Sequence, residues 1–228
     1  MITAPNFQDI PGLVHGFGLR NSTYPPDIRT VRQIHSSIVI DAEELDAEKL
    51  DAEELAPPPE GDALISNRPG VVVGIKTADC VPILMVDPST QAVAAIHAGW
   101  RGTAGNIVQR TIDHLCVRWR TRPADLRAAI GPSIGPCCYQ VGPEVARQFE
   151  TWLSETGQTA ASKEAPAFLD LPGINETQLR RAGVSDIWKS GECTFCTGGK
   201  FFSFRREREQ AGRMLSFIGW QKYIGRTS

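Results

Sequence analysis

The sequence predicts a single α+β or layered α/β domain over residues 1–228, rather than a doubly wound parallel sheet. Apolar runs typical of short buried strands mix with helical segments, without the regular strand–helix–strand alternation of a doubly wound fold. Neither G-x-G-x-x-G nor G-x-x-x-x-G-K-[ST] occurs, which removes the main support for dinucleotide-binding and P-loop proteins. The chain is 41% hydrophobic, which is enough for the core of one large domain.

The first half of the chain carries four predicted strands and the clearest predicted helix. Each strand is a short apolar run, and the four runs cover residues 62–66, 71–76, 81–86 and 92–98. Glycines at 99 and 102 then break the strand pattern. Residues 103–120 follow with apolar side chains at helical spacing, namely Ile107, Ile112, Leu115 and Val117 or Trp119.

The second half of the chain predicts shorter elements around a rigid segment at residues 131–144, which is rich in glycine and proline. Proline suits the first turn of a helix, and glycine commonly ends one. The predicted elements are a strand at 127–130, a helix from Pro143 to 153, a helix at 171–184 that ends at Gly183, and strands at 201–207 and 214–220 joined by a turn containing Gly212.

Residues 41–55 form an acidic insert that reads DAEEL, DAEKL and DAEEL in succession. The insert has a local charge of −7, whereas the whole chain has a net charge of −2. Five residues advance a helix by about 500°, so Leu45, Leu50 and Leu55 form no continuous apolar stripe. The composition favours a solvated helical or disordered insert, and an acidic arm that binds a partner is the alternative.

The composition indicates neither a nucleic-acid partner nor a membrane partner. The net charge of −2 provides no basic surface for either. No run reaches the ~18 apolar residues that span a bilayer. The N-terminal MITAPNFQDI lacks the basic start and apolar stretch of a secretory signal. We therefore expect a soluble cytoplasmic protein, and the sequence is equally compatible with a monomer and a homodimer.

One cysteine and two histidines stand where predicted strands end or turn. Cys80 lies within VVVGIKTADCVPILMV, His97 ends AVAAIHA before a glycine turn, and His35 lies on the strand-like QIHSSIV. Zinc is commonly bound by thiolate and imidazole, and three protein ligands leave a position open for water or substrate. The sequence therefore predicts a metal site at these three residues. A buried structural thiol with surface histidines is the alternative.

Arg101 and the glycines around it open the predicted long helix. A helix N-terminus with free N–H groups and an arginine is a natural site for an anion. Gly102 and Gly105 would let the backbone come close to a ligand. The alternative is an ordinary helix start with Thr103 as its cap.

The six cysteines do not form a disulfide scaffold in a chain of this length, so we expect buried thiols, metal ligands or nucleophiles. Cys193 and Cys196 have the spacing of a redox pair or a zinc knuckle, but a knuckle needs two further ligands. Cys137 and Cys138 offer a nucleophile or a lining for a pocket. Because adjacent side chains point in different directions, we expect at most one of these two to face a site.

Several segments in order resemble the YfiH-like laccase-domain family. That family was once described as multicopper polyphenol oxidases and is now regarded as zinc-dependent purine nucleoside phosphorylases with adenosine deaminase activity. The segments are HGFGLRN, RQIHSSIV, DALISNRPGVVVGIKTADCVPILMVD, AAIHAGWRGTAGNIV, AAIGPSIGPCCYQVGPEV, DLPGINETQL, ECTFC and FFSFRRE. The resemblance covers most of residues 12–220, and TADCVP followed by HAGWRG is its most specific part. It implies a layered α/β/β/α-type fold with a mixed β core, and Zn²⁺ held by His35, Cys80 and His97.

The resemblance also implies an enzyme that acts on purine nucleosides and phosphate. Phosphorolysis would convert adenosine, inosine or methylthioadenosine to the base and the corresponding ribose 1-phosphate (5-methylthioribose 1-phosphate from methylthioadenosine), and deamination would convert adenosine to inosine. We expect Arg101 to hold phosphate and Trp100 or Tyr139 to stack on the purine. We expect catalytic roles for Cys138 and for Asp79, the latter by orienting a metal ligand.

Three departures from the family pattern and three other interpretations accompany this resemblance. The segment from Arg20 to His35 is short, the acidic repeat is unusual, and Gln140 stands where the family usually has glutamate. A cysteine hydrolase would use Cys80 as nucleophile and His97 as base, without a stable metal. A zinc-stabilised binding module without turnover is the non-enzymatic interpretation. A coupled multicopper oxidase needs many histidines, and four in the whole chain argue against it.

Overall fold

Two β-sheets packed face to face form the centre of the molecule. The computed structural model describes residues 1–43, 45, 57–155 and 167–222, so most of the acidic insert at 41–55 lies outside the described residues. The strands are β1 (Leu13–Phe17), β2 (Ile28–Arg29), β3 (Val39–Asp41), β4 (Ala63–Ser66), β5 (Val72–Thr77), β6 (Val81–Asp87), β7 (Ala92–Ala98), β8 (Arg127–Ile130), β9 (Gln140–Val141), β10 (Ala167–Phe168), β11 (Asp186–Lys189) and β12 (Met214–Trp220). β9 and β10 pair with each other in a small separate ribbon.

The larger sheet has six strands in the order β11-β8-β6-β7-β4-β3. Its central strands run antiparallel, whereas β3 pairs with β4 and β11 pairs with β8 in parallel, so the sheet is mixed. Every residue of β6 and β7 is buried, because both faces of this sheet are covered. The strands predicted at 81–86 and 92–98 are therefore confirmed as the centre of the core.

The smaller sheet has four strands in the order β1-β12-β5-β2, and it covers one face of the larger sheet. Leu84 and Val93 from the larger sheet and Val73 and Ile218 from the smaller sheet belong to one buried apolar cluster. Alternate residues of β6 and β7 point the other way, into a second apolar cluster lined by helices. The period-2 alternation of strands thus builds two cores on one sheet.

The helices at 100–104, 107–119 and 171–181 pack on the outer face of the larger sheet. The helices are α1 (Trp100–Ala104), α2 (Ile107–Trp119), α3 (Pro143–Ala146), α4 (Glu150–Glu155), α5 (Leu171–Arg181) and α6 (Phe204–Glu207). The predicted helix at 171–184 is confirmed as α5. It begins because the Asp170 carboxylate accepts a hydrogen bond from the Gly173 N–H at 3.0 Å. It ends before Gly183, whose φ of +97° is in the left-handed region.

The helix predicted at 103–120 is interrupted. Asn106 has a left-handed φ of 57°, which separates α1 from α2. Thr103 lies buried inside α1 rather than capping the long helix. Val117 is 86% exposed, so Trp119 and not Val117 continues the apolar face of α2.

The strand predicted at 201–207 is wrong. Phe204–Glu207 is a single helical turn, because the Ser203 hydroxyl accepts a hydrogen bond from the Arg206 N–H and caps it. The strand predicted at 214–220 is confirmed as β12, but it pairs with β1 and β5 rather than with residues 201–207.

The α+β class, with a layered arrangement around a mixed β core, is confirmed. Within the described ranges of the chain, no helix is long and apolar enough to cross a membrane.

Candidate metal centre and cavity

Cys80 and His97 meet because β6 and β7 are antiparallel neighbours. Pro82 pairs with His97 in the sheet, so Cys80, two residues earlier, lies at the same end of the two strands as the histidine. His35 comes from a bend before β3, with a left-handed φ of 60°. The prediction that His35 lies on a strand is therefore wrong. The tertiary structure nevertheless brings the three predicted ligands together.

The donor atoms of His35, Cys80 and His97 all lie within 4.8 Å of one another. The two imidazole rings are 4.9 Å apart between centroids and inclined at 74°, which lets both face the thiol. A Cβ atom at Gly99 would lie 3.1 Å from His35 Cδ2 and 3.2 Å from Cys80 Sγ. Glycine at this position therefore leaves room for the His35 and Cys80 side chains, which an added Cβ would press on. The donor set and spacing fit a soft divalent metal with one open position.

Asp62 holds both histidines in place, although no sequence motif singles it out. Its Oδ1 lies 2.7 Å from His97 Nδ1, and its main-chain oxygen accepts a hydrogen bond from the His97 N–H at 2.7 Å. The same carboxylate accepts hydrogen bonds from the N–H groups of His35 at 3.0 Å and Ser36 at 2.6 Å. Since Nδ1 of His97 is hydrogen-bonded to Asp62, Nε2 is the ring nitrogen left to face His35 and Cys80. The sequence signal for Asp62 is weak, since it is only an acidic residue directly before a buried strand.

The contacts among His35, Cys80, His97 and Asp62 stabilise a thiolate at Cys80 and an imidazolium at His97. Burial raises the pKa of Cys80, but hydrogen bonds from His35 and His97 outweigh burial and lower its pKa to about 6. Burial lowers the pKa of His97, but Asp62 and Cys80 raise it to about 9. Burial likewise raises the pKa of Asp62, and hydrogen bonds from His97 and Ser36 lower it to about 2. At neutral pH the sulfur is therefore already deprotonated, as metal binding requires, whereas His97 has to release its proton when a metal binds.

A cavity of about 560 Å³ opens over the cysteine and the two histidines. Its lining includes Lys76, Arg205, Arg208 and Arg213, none of which pairs with an acidic side chain in the part of the chain that the structure describes. The buried Thr77 hydroxyl also lines the cavity and has no hydrogen-bond partner there. The cavity therefore combines three side chains that could bind a soft metal with four cationic side chains that form no described ion pair and a hydroxyl without a hydrogen-bond partner.

Only one of the three predicted substrate-binding residues lines the cavity. Tyr139 lines the cavity, and burial together with the nearby Cys80 raises its pKa to about 12, so its hydroxyl stays protonated. Arg101 is exposed, and its guanidinium lies 4.3 Å from the centroid of the Trp100 ring. Neither Arg101 nor Trp100 is among the residues that line the cavity. The cations at the cavity come instead from Lys76 and the segment after β11.

Asp79 lines the cavity but does not hold a histidine. Its carboxylate accepts hydrogen bonds from Thr194 Oγ1 at 2.7 Å, Ser203 Oγ at 3.0 Å and the Arg205 N–H at 2.7 Å. Asp79 therefore holds two distant segments of the chain, one at Thr194 and one at Ser203 and Arg205, close to Cys80. In the structure, Asp62 makes the contact with a histidine that we expected of Asp79.

Cys138 lies outside the cavity lining, beside three other cysteines. Both Cys137 and Cys138 contact Cys196, with Sγ–Sγ distances of 3.6 and 3.3 Å. The two adjacent side chains, which we expected to point in different directions, therefore both reach Cys196. A turn closed by hydrogen bonds from the N–H groups of Cys138 and Tyr139 to the Gly135 oxygen directs both side chains to the same place.

Fold and site together define a class: α+β proteins with two mixed sheets and a cavity built over a cysteine and two histidines. The chain belongs to the family described as multi-copper polyphenol oxidoreductase laccase, whose model matches residues 19–221.

Similar proteins carry enzyme names. The purine nucleoside phosphorylase of Deinococcus radiodurans is 44% identical over 168 residues, which are 74% of this chain but only 64% of that protein. Adenosine deaminase RL5, from an unknown prokaryotic organism, is 37% identical over 84% of this chain and 74% of its own length. The crystal structure of YlmD from Geobacillus stearothermophilus superposes with a TM-score of 0.80 at 31% identity, over 96% of this chain and 94% of YlmD.

Proposed function

We propose that this protein is a zinc-dependent purine nucleoside phosphorylase that also deaminates adenosine. The observation that carries the proposal is the cavity, in which three side chains that could hold a metal ion lie beside four cations. A nucleoside and phosphate are the substrates that such a cavity suits, since one is flat and polar and the other is anionic. The names of the relatives in Deinococcus radiodurans and of RL5 support the same activities.

His35, Cys80 and His97 would hold the zinc ion, and Asp62 would keep the His97 ring oriented. A bound zinc ion supplies Lewis acidity and a coordinated water of lowered pKa. The donor atoms of His35, Cys80 and His97 lie close together without a bound metal, because the Cys80 thiolate faces the two imidazoles. This preorganisation favours metal binding without a large rearrangement.

The cavity cations would bind phosphate. Arg205, Arg208, Arg213 and Lys76 line the cavity, and arginine binds phosphate oxygens through several N–H groups. Arg101, the residue we first expected in this role, is stacked on Trp100 outside the lining. We therefore assign phosphate binding to the segment that contains α6 and to Lys76.

Aromatic side chains and one hydroxyl would bind the nucleoside. Tyr139 and Phe204 line the cavity and offer flat faces for a purine. The unpartnered Thr77 hydroxyl offers a hydrogen bond to a sugar hydroxyl or a ring nitrogen. Asp79 would act as a positioning residue, because it fixes the backbone of Arg205.

A cysteine hydrolase is the second candidate, and one observation favours it. Cys80, His97 and Asp62 are adjacent in space as a thiolate, an imidazolium and an orienting carboxylate, with His97 Nδ1 held 2.7 Å from Asp62 Oδ1. That arrangement is the logic of a cysteine nucleophile with an activated histidine. The hydrolase requires a metal-free site, so metal dependence separates the two candidates.

The test is turnover of adenosine, inosine and methylthioadenosine, with and without phosphate, by the metal-loaded protein and by the same protein after chelation. We expect base and the corresponding ribose 1-phosphate (5-methylthioribose 1-phosphate from methylthioadenosine) only with phosphate, inosine from adenosine without it, and loss of both reactions after chelation. Turnover that survives complete metal removal would favour the hydrolase. No turnover of any nucleoside by the metal-loaded protein would overturn the proposal.

The phosphate assignment has its own test. Arg208→Ala should raise the KM for phosphate about tenfold or more, because a hydrogen bond to a charged group contributes about 1.5–3 kcal/mol. Deamination, which needs no phosphate, should change little. Arg122→Ala is the matched control, since Arg122 is exposed and pairs locally with Asp125. An unchanged phosphate KM in Arg208→Ala would contradict the assignment.

A further inference from the structure

Four of the six cysteines come together away from the cavity. Cys137 and Cys138 lie in a turn between β8 and β9, and Cys193 and Cys196 lie in the segment after β11. Their Sγ atoms all lie within 4.8 Å of one another. The pair at 193 and 196 has the spacing of half a zinc knuckle, and the turn at 137 and 138 supplies the two missing ligands.

The sulfur separations fit a shared metal ion rather than disulfide bonds. Zinc–sulfur bonds of about 2.3 Å in a tetrahedron place the sulfurs roughly 3.8 Å apart. Cys196 Sγ is 3.6 Å from Cys137 Sγ and 3.3 Å from Cys138 Sγ. A disulfide would need about 2.05 Å, and all four cysteines are free thiols.

The backbone around the cluster also fits a metal thiolate. The Gly135 N–H donates a hydrogen bond to Cys193 Sγ at 3.3 Å, the kind of contact that holds a ligating sulfur in place. The Thr197 N–H bonds to the Cys193 oxygen at 3.2 Å, which closes the turn between the two cysteines. Both halves of the cluster are thus shaped by tight turns that aim sulfurs at one point.

We propose that Cys137, Cys138, Cys193 and Cys196 bind a second zinc ion in a closed tetrathiolate site with a structural role. Binding releases the thiol protons to solvent and involves no oxidation or reduction. Four sulfur ligands leave no open position, in contrast to the cavity site. Tetrahedral sulfur sites also suit iron, so the metal is identified in the test.

The second site would tie together the two segments that carry cavity residues. Tyr139 follows Cys138 directly, and Thr194 lies between Cys193 and Cys196 and donates a hydrogen bond to Asp79. Ser133 and Cys193 also form an isolated β-bridge. The zinc ion would therefore cross-link one wall of the cavity without touching substrate.

The first measurement is metal content of the full chain purified without a metal-affinity step. We expect two zinc ions per chain in the unaltered protein, one in Cys196→Ser and one in Cys193→Ser. Cys116→Ser is the matched control and should keep two, because Cys116 lies on α2 outside both clusters. One zinc per chain that none of the cluster substitutions removes would overturn the proposal.

The second measurement remains decisive if a cluster variant fails to fold. X-ray absorption at the zinc edge is recorded on Cys80→Ala, which loses the cavity metal and keeps the four clustered cysteines. We expect a single shell of four sulfurs at about 2.3 Å. A nitrogen or oxygen shell, iron in place of zinc, or a thiol titration that finds disulfides among the four would each overturn the assignment. None of these readouts depends on nucleoside turnover.

Discussion

The cavity site and the cysteine cluster use similar soft donors in opposite ways. The cavity site has three donors of mixed type, with His97 buried and a buried carboxylate behind it. The cluster has four sulfurs, with Cys137 and Cys196 exposed, and no described acidic or basic side chain hydrogen-bonds to any of them. Three donors leave a coordination position for chemistry, whereas four donors close the site. The number and surroundings of the donors, rather than their softness, would separate the proposed reactive site from the proposed structural one.

The two regions also differ in what holds them. The cavity ligands Cys80 and His97 are fixed by the register of two fully buried central strands. The cluster is held by turns and by single hydrogen bonds, such as Gly135 N–H to Cys193 Sγ. We therefore expect the cavity site to keep its shape without metal. The cluster should depend on its metal for local order.

The largest expected effect tests whether the two sites are independent. Cys80→Ala removes one cavity ligand, so nucleoside turnover should fall about a thousandfold or more, since metal catalysis contributes several kcal/mol. The cluster should keep its own zinc. Turnover and zinc content are measured on the same preparation, with Cys116→Ser as the control. Loss of both metals in Cys80→Ala would show that the sites are coupled.

Asp62→Asn tests the carboxylate that distinguishes the cavity site. Asparagine has nearly the same shape but carries no charge, so it stabilises the His97 ring less well. We expect zinc affinity of the cavity site to fall about 10–100-fold, as for other partners of metal-binding histidines. Competition with a chromophoric chelator measures this affinity. An affinity equal to that of the unaltered protein would mean that Asp62 only links backbone segments.

Gly99→Ala tests the space at the cavity ligands. The added Cβ would press on His35 and Cys80 at 3.1 and 3.2 Å, so one of them has to shift. We expect about a tenfold loss of zinc affinity, within the usual cost of overpacking of about 1–3 kcal/mol. Gly199→Ala is the matched control, because a Cβ there meets no atom within 4 Å. Equal affinities in the two variants would rule out the proposed crowding.

The smallest effect is confined to acid pH. The pKa of Asp62 is lowered from 3.8 to about 2 in the folded protein. A lowered carboxyl pKa stabilises the fold above about pH 4, and that contribution is lost as the pH falls toward 2. Urea unfolding of the metal-free protein should therefore lose about 2 kcal/mol over this range. Asp62→Asn should lose less, and parallel curves for the two proteins would contradict the assignment.

The sequence predicted the core strands, and it singled out three side chains that the fold brings together, for a physical reason. Long apolar runs such as 81–86 and 92–98 are buried on both faces wherever they lie in a sheet, so they were recognised without knowledge of their partners. Because Cys80 and His97 stand at the ends of these two runs, the antiparallel pairing of the strands places both at one edge of the core. Short elements were harder, because at 201–207 a single serine cap outweighed the strand pattern.

The sequence by itself determined the α+β class, the strands of the core, and the residue types that could bind a metal. Only the tertiary structure decided which of those residues meet. It places Asp62 behind His97, brings Arg205 and Arg208 to the cavity instead of Arg101, and joins Cys137 and Cys138 to a pair more than fifty positions away. Local pattern is set by burial period and turn chemistry. Contacts between distant segments depend on sheet register and on loop paths, which no single stretch of sequence records.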